Sequence, residues 1–131
     1  SVPTQGTYNA SKFAVRGFTE SLRQELDVEN CGVSATCVHP GGIRTNIARA
    51  AKLDASVAVD AAAAERARQK FDKLLNTTTA NSAARKMIRA VEKNQRRLLI
   101  GPDAVFLDKF VRLVGAGYQP FVTYFFKKMM G

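Results

Sequence analysis

Residues 8–12, Tyr-Asn-Ala-Ser-Lys, open a long helical pattern, and residues 40–45, Pro-Gly-Gly-Ile-Arg-Thr, follow a short strand pattern. Tyr8 and Lys12 are four positions apart, which puts them on one face of a helix, one turn from each other. A free tyrosine has a pKa of about 10 and is a poor base at pH 7, but a neighbouring ammonium group favours the phenolate. Acid/base catalysis works best when the pKa lies near the working pH. The pair therefore points to a tyrosine that exchanges protons, beside a glycine turn where a flat ligand can lie against bare backbone.

The residues around these motifs predict a helix, a strand and a tight turn. The helix is expected from about residue 7 to Glu29, because four apolar side chains recur every four residues while charged residues take the opposite side. The apolar stripe is Ala14, Phe18, Leu22 and Leu26, and the charged side is Arg16, Glu20, Arg23 and Asp27. Asn30 and Gly32 tolerate the left-handed conformation that ends helices. Residues 33–38 are expected to form a buried strand that stops at Pro40.

The remainder of the chain alternates between helix and strand patterns. Residues 46–80 are rich in alanine and poor in large apolar side chains, with Asp60 as a candidate helix N-cap. Ser82 is predicted to cap a further helix whose stripe is Ala84, Met87, Ile88 and Val91. Residues 96–100 are predicted to form a strand, and Asp103 to cap the helix that follows it. This alternation predicts an α/β fold with a doubly wound parallel sheet, of which the chain would hold two strands and about five helices.

The stretch from Tyr8 to Thr45 resembles the short-chain dehydrogenase/reductase family. The family pattern is a Tyr-x-x-x-Lys helix, a strand, and then Pro-Gly with a threonine four residues after the glycine. That pattern falls here on Tyr8, Lys12, Pro40, Gly41 and Thr45. The resemblance implies the C-terminal part of a single Rossmann-type domain. Residues 1–45 would carry the catalytic helix, strand and turn, residues 46–80 a flap over the substrate, and residues 81–131 the last strand and the C-terminal helices.

The same resemblance implies a reaction and a cofactor. Members transfer a hydride between NAD or NADP and the carbonyl or alcohol carbon of a small molecule, with Tyr8 as acid/base and Lys12 as its cationic partner and a ribose ligand. The cofactor contacts carried over are Tyr8, Lys12, Pro40, Gly41, Gly42, Ile43 and Thr45. The family's glycine-rich loop and catalytic serine lie well upstream of the tyrosine, and only seven residues precede Tyr8. We therefore expect the C-terminal half of a longer enzyme, without dehydrogenase activity by itself.

Two other classes of function stay open. The chain could be a non-catalytic interaction module whose first and third helices form a subunit contact, and the resemblance itself implies a homodimer or homotetramer. The tail, residues 118–131, combines aromatic residues with Lys127 and Lys128, which suits a membrane interface. An aromatic stripe of this kind is more often a helix that docks on protein. Tyr124 and Lys128 repeat the Tyr-x-x-x-Lys spacing without its context and are expected to be packing and solvent residues.

Composition narrows the remaining choices. The chain has 20 basic and 11 acidic residues and a net charge of +9, but the basic side chains are scattered at helical positions, so nucleic-acid binding is not expected. Cys31 and Cys37 lack Cys-x-x-Cys spacing and are expected to be free thiols of a reduced, cytoplasmic compartment, with no metal site. No apolar run is long enough to predict a transmembrane helix. The single histidine, His39, is given no role.

Overall fold

The computed structural model describes Ser1, Pro3, residues 5–46 and residues 78–130. Residues 129 and 130 are described without their side chains. Its helices are α1 (Gly6–Glu29), α2 (Ala80–Glu92), α3 (Pro102–Val114) and α4 (Tyr118–Met130), and its strands are β1 (Cys37–Pro40), β2 (Ile43–Arg44), β3 (Thr78–Thr79) and β4 (Arg97–Ile100). A single 3-10 turn at Gly115–Gly117 joins α3 to α4. Most of the expected flap, with the candidate cap Asp60, lies outside the described residues.

Two pairs of parallel strands organise the described part of the chain. β1 pairs with β4, with Cys37 opposite Arg97 and Pro40 opposite Ile100. β2 pairs with β3, with Ile43 opposite Thr78. Helices alternate with these strands, so the prediction of a parallel α/β structure is confirmed. The sequence patterns predicted two strands, whereas the described residues form four. The patterns did not predict β2 or β3, which are two residues long and are defined by their pairing with each other.

The first helix has the predicted length and the predicted end. Asn30 adopts the left-handed conformation with φ of 49°, and its N–H donates to the Leu26 carbonyl. The following strand begins at Cys37, later than the predicted start at residue 33. The reason is the partner strand: β4 begins at Arg97, which is the residue opposite Cys37. Ahead of that point the chain is held by other bonds, including one from the Thr36 hydroxyl to the Gln95 carbonyl at 2.7 Å.

The apolar stripe of α1 is exposed at its first two members and half-buried at its last two, and the buried residue of the helix lies on the charged side. Arg23 is the buried residue of this helix, with 6% of its surface exposed, whereas Phe18 is 70% exposed. The Arg23 guanidinium donates to Asp27 and, through Nη1, to the Ala35 carbonyl at 3.1 Å. An arginine can bury its aliphatic stem while its charged end remains hydrogen-bonded. Arg23 therefore joins the helix to the residues that lead into β1.

The helix α2 also turns a different face to the sheet than predicted. Its N-cap is Thr79, whose hydroxyl accepts the Ser82 N–H at 3.2 Å, so the prediction that Ser82 is the cap is wrong. Ala83 and Ala90 are buried, whereas Ile88 and Val91 of the predicted stripe are exposed. Small side chains allow the helix to approach closely the strand that carries Ile100, which is fully buried. The core of the described residues therefore forms around small side chains and one large one.

The last two helices pack on each other through aromatic rings. Phe106 and Phe110 are stacked with their centroids 6.0 Å apart, and Phe110 meets Phe121 edge-on at the same distance. These are the separations at which aromatic pairs attract each other. The contact shows that α4 docks on α3. None of the helices that the structure describes is both long and apolar enough to cross a membrane.

Candidate active site

Tyr8 and Lys12 occupy the first two turns of α1. The Lys12 ammonium lies 5.3 Å from the centroid of the Tyr8 ring, within the range of a cation–π contact. The Ser11 hydroxyl donates to the Tyr8 carbonyl at 2.8 Å, which reinforces this end of the helix. The Tyr8 side chain is 58% exposed in the described structure. The phenol is therefore accessible and has a cation next to its ring.

The pitch of helix and strand places this pair at the carboxyl end of β1. Arg23 contacts the Ala35 carbonyl, and Arg16 lies close enough to His39 of β1 to help lower its pKa. These two contacts indicate that α1 runs in the opposite direction to the strand. From Ala35 to Pro40 an extended chain advances about 16 Å at about 3.3 Å per residue. From Arg23 back to Lys12 a helix covers about 16 Å at about 1.5 Å per residue. Lys12 therefore lies at about the level of Pro40, with Tyr8 one turn beyond it.

The glycine turn that follows β1 is tied to the protein at three places. The Gly41 N–H donates to the Ile100 carbonyl at 2.8 Å, which extends the β1–β4 ladder by one bond. The Gly42 N–H donates to the Asp103 carboxylate at 2.6 Å. The Thr78 N–H donates to the Gly42 carbonyl at 3.2 Å. Bonds on consecutive residues leave the turn little freedom relative to the strand ends.

The other predicted cofactor contacts lie at the same end of the strands. Pro40 is the last residue of β1, and Ile43 opens β2 directly after the two glycines. Thr45 follows β2 and is exposed. In open α/β sheets, ligands bind in the crevice outside the carboxyl ends of the parallel strands. The predicted residues of the turn and the Tyr8–Lys12 pair thus flank the edge where this architecture binds ligands.

Asp103 is the residue of this region that sequence reasoning missed. It was predicted to cap the helix that begins near it, but the N-cap is Gly101 and makes no side-chain bond. Asp103 lies in the first turn of α3 and its carboxylate accepts the Gly42 N–H instead. The contact could have been inferred from the positions of two segments. Parallel pairing of β1 with β4 brings the Gly-Pro-Asp segment after β4 next to the Pro-Gly-Gly segment after β1.

A cluster of titratable side chains lies beside this edge, between α1, the sheet and α3. Its members are Arg16, Glu20, His39, Arg97 and Asp108. Burial, and after it the positive charges of Arg97 and Arg16, lower the pKa of His39 below its usual 6.5. The hydrogen bond from Arg16 lowers the pKa of Glu20. Among the described residues no atom hydrogen-bonds His39 Nε2. The neutral form of His39 is therefore favoured.

One cavity lies away from this edge. It has a volume of about 370 Å³ and is lined by residues of the two loops that lead into β1 and β4, among them Asn30, Gly32 and Asn94. The one titratable side chain on its wall is Asp27, which is paired with Arg23 and Arg96. The cavity is therefore at the amino end of the strands, and the acid on the described part of its wall is held in ion pairs. In the ranges that the structure describes, no His, Cys, Asp or Glu residues form a group that could hold a metal ion.

Comparison with known proteins connects the chain to enzymes. A family model described as short chain dehydrogenase matches residues 1–56. A protein named putative oxidoreductase SadH from Mycobacterium tuberculosis is 43% identical over 122 residues, which are 93% of this chain and 42% of that protein. An uncharacterized oxidoreductase, YxnA, from Bacillus subtilis is 54% identical over 41 residues, or 31% of this chain and 12% of that protein. Human dehydrogenase/reductase SDR family member 9 is 44% identical over 48 residues, or 37% of this chain and 14% of that protein.

The chain spans less than half the length of these curated relatives. The matched residues 1–56 include the Tyr8–Lys12 pair and the whole glycine turn. The similarity to the Mycobacterium protein extends further and takes in most of α2, β4 and the C-terminal helices, since it covers 93% of the chain. No solved structure matches the chain.

Proposed function

We propose that this chain, which belongs to the short-chain dehydrogenase/reductase family, forms the acid/base part of the active site of a nicotinamide-dependent oxidoreductase. The enzyme would move a hydride between NAD or NADP and the carbonyl or alcohol carbon of a small molecule. The observation that carries the proposal is the position of the Lys12 ammonium, 5.3 Å from the Tyr8 ring centroid; ideal helix and strand rises put this pair near the level where β1 ends. The 43% identity to a protein named as an oxidoreductase supports the same reaction class.

In this proposal Tyr8 and Lys12 divide the proton chemistry between them. The Tyr8 hydroxyl gives a proton to the substrate oxygen during reduction and takes it back during oxidation. Lys12 places a positive charge 5.3 Å from the Tyr8 ring centroid and donates hydrogen bonds to the ribose of the cofactor. A base that is held in place, with its charge partner on the next helical turn, needs no rearrangement before each proton transfer.

The glycine turn fits the flat nicotinamide ring. Gly41 and Gly42 carry no side chains, and the bonds to Asp103 and Thr78 support the turn from the protein side. Pro40, Ile43 and Thr45 would complete the contact, with the Ile43 backbone and the Thr45 hydroxyl holding the carboxamide. The bound cofactor supplies or accepts the hydride, and the protein supplies placement and charge.

The rest of the enzyme is proposed to come from outside this chain. A dinucleotide site needs a glycine-rich loop that binds the pyrophosphate at a helix N-terminus, and no such glycine cluster occurs here. We propose that β1 and β4 are the last strands of a doubly wound sheet, that residues 46–80 cover the substrate, and that the assembly is a homodimer or homotetramer. Phe13 and Phe18, which are exposed on α1, support burial of this helix against further protein.

A second candidate function is a non-catalytic interaction segment of the same fold. The observation that favours it is the exposed apolar side of α1, which is suited to a protein contact. The two candidates are compatible in an assembled enzyme, and they are separated by whether the Tyr8–Lys12 pair is needed for turnover.

The experiment that tests the proposal uses the intact protein with both nicotinamide cofactors and a panel of ketones and secondary alcohols. Lys12→Met should lower kcat/KM by about 100-fold or more, in the range expected for acid/base catalysis. Lys128→Met is the matched control, because Lys128 follows a tyrosine at the same spacing in α4, and it should leave turnover unchanged. Absence of turnover with either cofactor, or equal losses in the two variants, would contradict the proposal.

A further inference from the structure

The carboxylate of Asp103 contacts the glycine turn on the side that faces α3. It accepts the Gly42 N–H at 2.6 Å, a short distance typical of a bond to a charged acceptor. Gly42 is buried and Asp103 is half-buried. The bond joins the first turn of α3 to a segment that is 61 residues away in the sequence. It is therefore a long-range contact made at the end of two adjacent strands.

The glycines on both sides of this carboxylate leave room for it because they carry no side chain. A Cβ atom added to Gly41 would overlap both carboxylate oxygens of Asp103, and a Cβ atom added to Gly101 would overlap Oδ1. Gly101 also has a φ of 101°, a conformation that favours glycine over other residues. Two glycines from two strand ends thus lie against one carboxylate.

We propose that Asp103 is a positioning residue for the reaction: its carboxylate holds the Gly42 amide and so fixes how far the glycine turn stands from Tyr8. The inference rests on the proposed function, because the turn is there the surface that receives the nicotinamide ring. Asp103 itself touches neither cofactor nor substrate in this account. It acts through the buried Gly42 amide on the position of Gly41, which is half-buried and belongs to that surface.

Placement of this kind has a measurable effect on rate. A displacement of about 1 Å in a group that positions the reactants can lower the rate by about 100-fold. The turn has two other attachments, at Ile100 and Thr78, so the loss of the Asp103 bond should displace it rather than unfold it. The expected loss in kcat/KM for the cofactor is therefore about 10- to 100-fold.

A different role would be purely structural. Asp103 lies in the first turn of α3, where any negative charge is favourable because it meets the positive end of the helix dipole. The two roles depend on different properties of the side chain. The helix dipole requires the charge, whereas the turn requires an acceptor oxygen at one particular place.

Two variants of the intact protein separate these roles. Asp103→Asn keeps an acceptor oxygen at nearly the same place and removes the charge, whereas Asp103→Glu keeps the charge and moves the oxygens by one methylene. Positioning predicts that Asp103→Asn keeps kcat/KM for the cofactor within about threefold, while Asp103→Glu loses about 10- to 100-fold. A charge role alone predicts a lower Tm for Asp103→Asn and little change for Asp103→Glu, with no shift in KM for either.

A second readout is independent of catalysis. Hydrogen exchange of the amides in residues 41–45, measured without cofactor, should be faster in Asp103→Glu and Asp103→Ala than in the wild type and in Asp103→Asn. Asp108→Asn is the matched control on the same helix, and it should lower Tm without changing exchange in the turn or the KM for the cofactor. If Asp103→Ala does not fold, the comparison of Asp103→Asn with Asp103→Glu still decides the question.

The outcomes are distinguishable from a failure of the proposed function. The inference is supported if Asp103→Glu shows both faster exchange and the kinetic loss, while Asp103→Asn keeps the exchange and the kinetics close to those of the wild type. Unchanged exchange in Asp103→Glu overturns it, whatever the protein catalyses. Faster exchange with unchanged kinetics leaves Asp103 a structural residue and also overturns it. If the wild-type protein turns over no substrate with either cofactor, the proposed function fails and the positioning role falls with it, although the exchange result remains valid.

Discussion

Replacement of Asp108 with alanine tests whether one ion pair holds α3 against the sheet. The carboxylate accepts hydrogen bonds from Nη1 and Nη2 of Arg97 in β4 at 2.9 and 2.6 Å, and from Nε of Arg112 in α3 itself. The side chains of Asp108 and Arg97 are 18% and 26% exposed, whereas that of Arg112 is 58% exposed. The pair with Arg97 therefore joins two elements in a partly buried place, and the pair with Arg112 is a surface contact.

The size of the effect follows from this difference. A hydrogen bond to a charged partner contributes about 1.5–3 kcal/mol, and an exposed ion pair about 0.2–1 kcal/mol. Asp108→Ala leaves the Arg97 guanidinium without its acceptor, so we expect a loss of about 2.5 kcal/mol in the free energy of unfolding. Arg112→Ala should cost about 0.5 kcal/mol. For a domain of about 200 residues, the first value corresponds to a drop in Tm of about 5–10 °C.

Thermal unfolding of the intact protein, followed by circular dichroism at pH 7 and at lower pH, measures this effect. The bonds from Arg97, and then from Arg112, hold the pKa of Asp108 well below its usual 3.8. The ionised carboxylate therefore stabilises the native state above that value, and the stabilisation is lost as the pH falls below it. The difference in Tm between wild type and Asp108→Ala should shrink in acid. Equal Tm values for Asp108→Ala and Arg112→Ala at pH 7 would refute the reasoning.

Three further predictions concern packing and titration. Burial lowers the pKa of His39 below 6.5, so below this pH the imidazole binds more protons in the unfolded chain than in the folded one. Stability should therefore fall as the pH drops below 6.5. His39→Gln should flatten this part of the Tm–pH curve, and an unchanged slope would contradict the prediction. Burial also raises the pKa of the Cys37 thiol, whereas Cys31 is exposed, so mass spectrometry should find the Cys31 peptide alkylated first by iodoacetamide. Ala90→Leu should lower the free energy of unfolding in urea by about 1–3 kcal/mol through overpacking, and Ala84→Leu on the exposed face should change it little.

The features that were predictable from sequence depend on local backbone chemistry. Asn30 and Gly32 ended the first helix as predicted because both tolerate positive φ, and both residues adopt it. The position of Pro40 at the end of β1 also followed from the lack of an N–H group to continue the ladder. The alternation of helices with strands was enough to predict parallel pairing.

The features that were missed are set by distant parts of the chain. Arg23 was placed opposite the apolar stripe from its spacing alone, and its burial depends on the Ala35 carbonyl in the following loop. The start of β1 is fixed by Arg97 of its partner strand. Asp103 has the sequence position of a helix cap, and its bond to Gly42 exists only because two parallel strands end side by side. In each case the deciding partner lies beyond the window in which a periodic pattern is read.

The most direct test of the central claim is the single-turnover rate of Tyr8→Phe in the intact protein, with Tyr124→Phe as the matched control. The hydroxyl is removed while the aromatic ring near Lys12 remains, so the cofactor dissociation constant should stay close to that of the wild type. The rate of the hydride-transfer step should fall by about 100- to 10,000-fold in Tyr8→Phe and should be unchanged in Tyr124→Phe. A Tyr8→Phe protein that transfers hydride at a rate near that of the wild type would contradict the central claim.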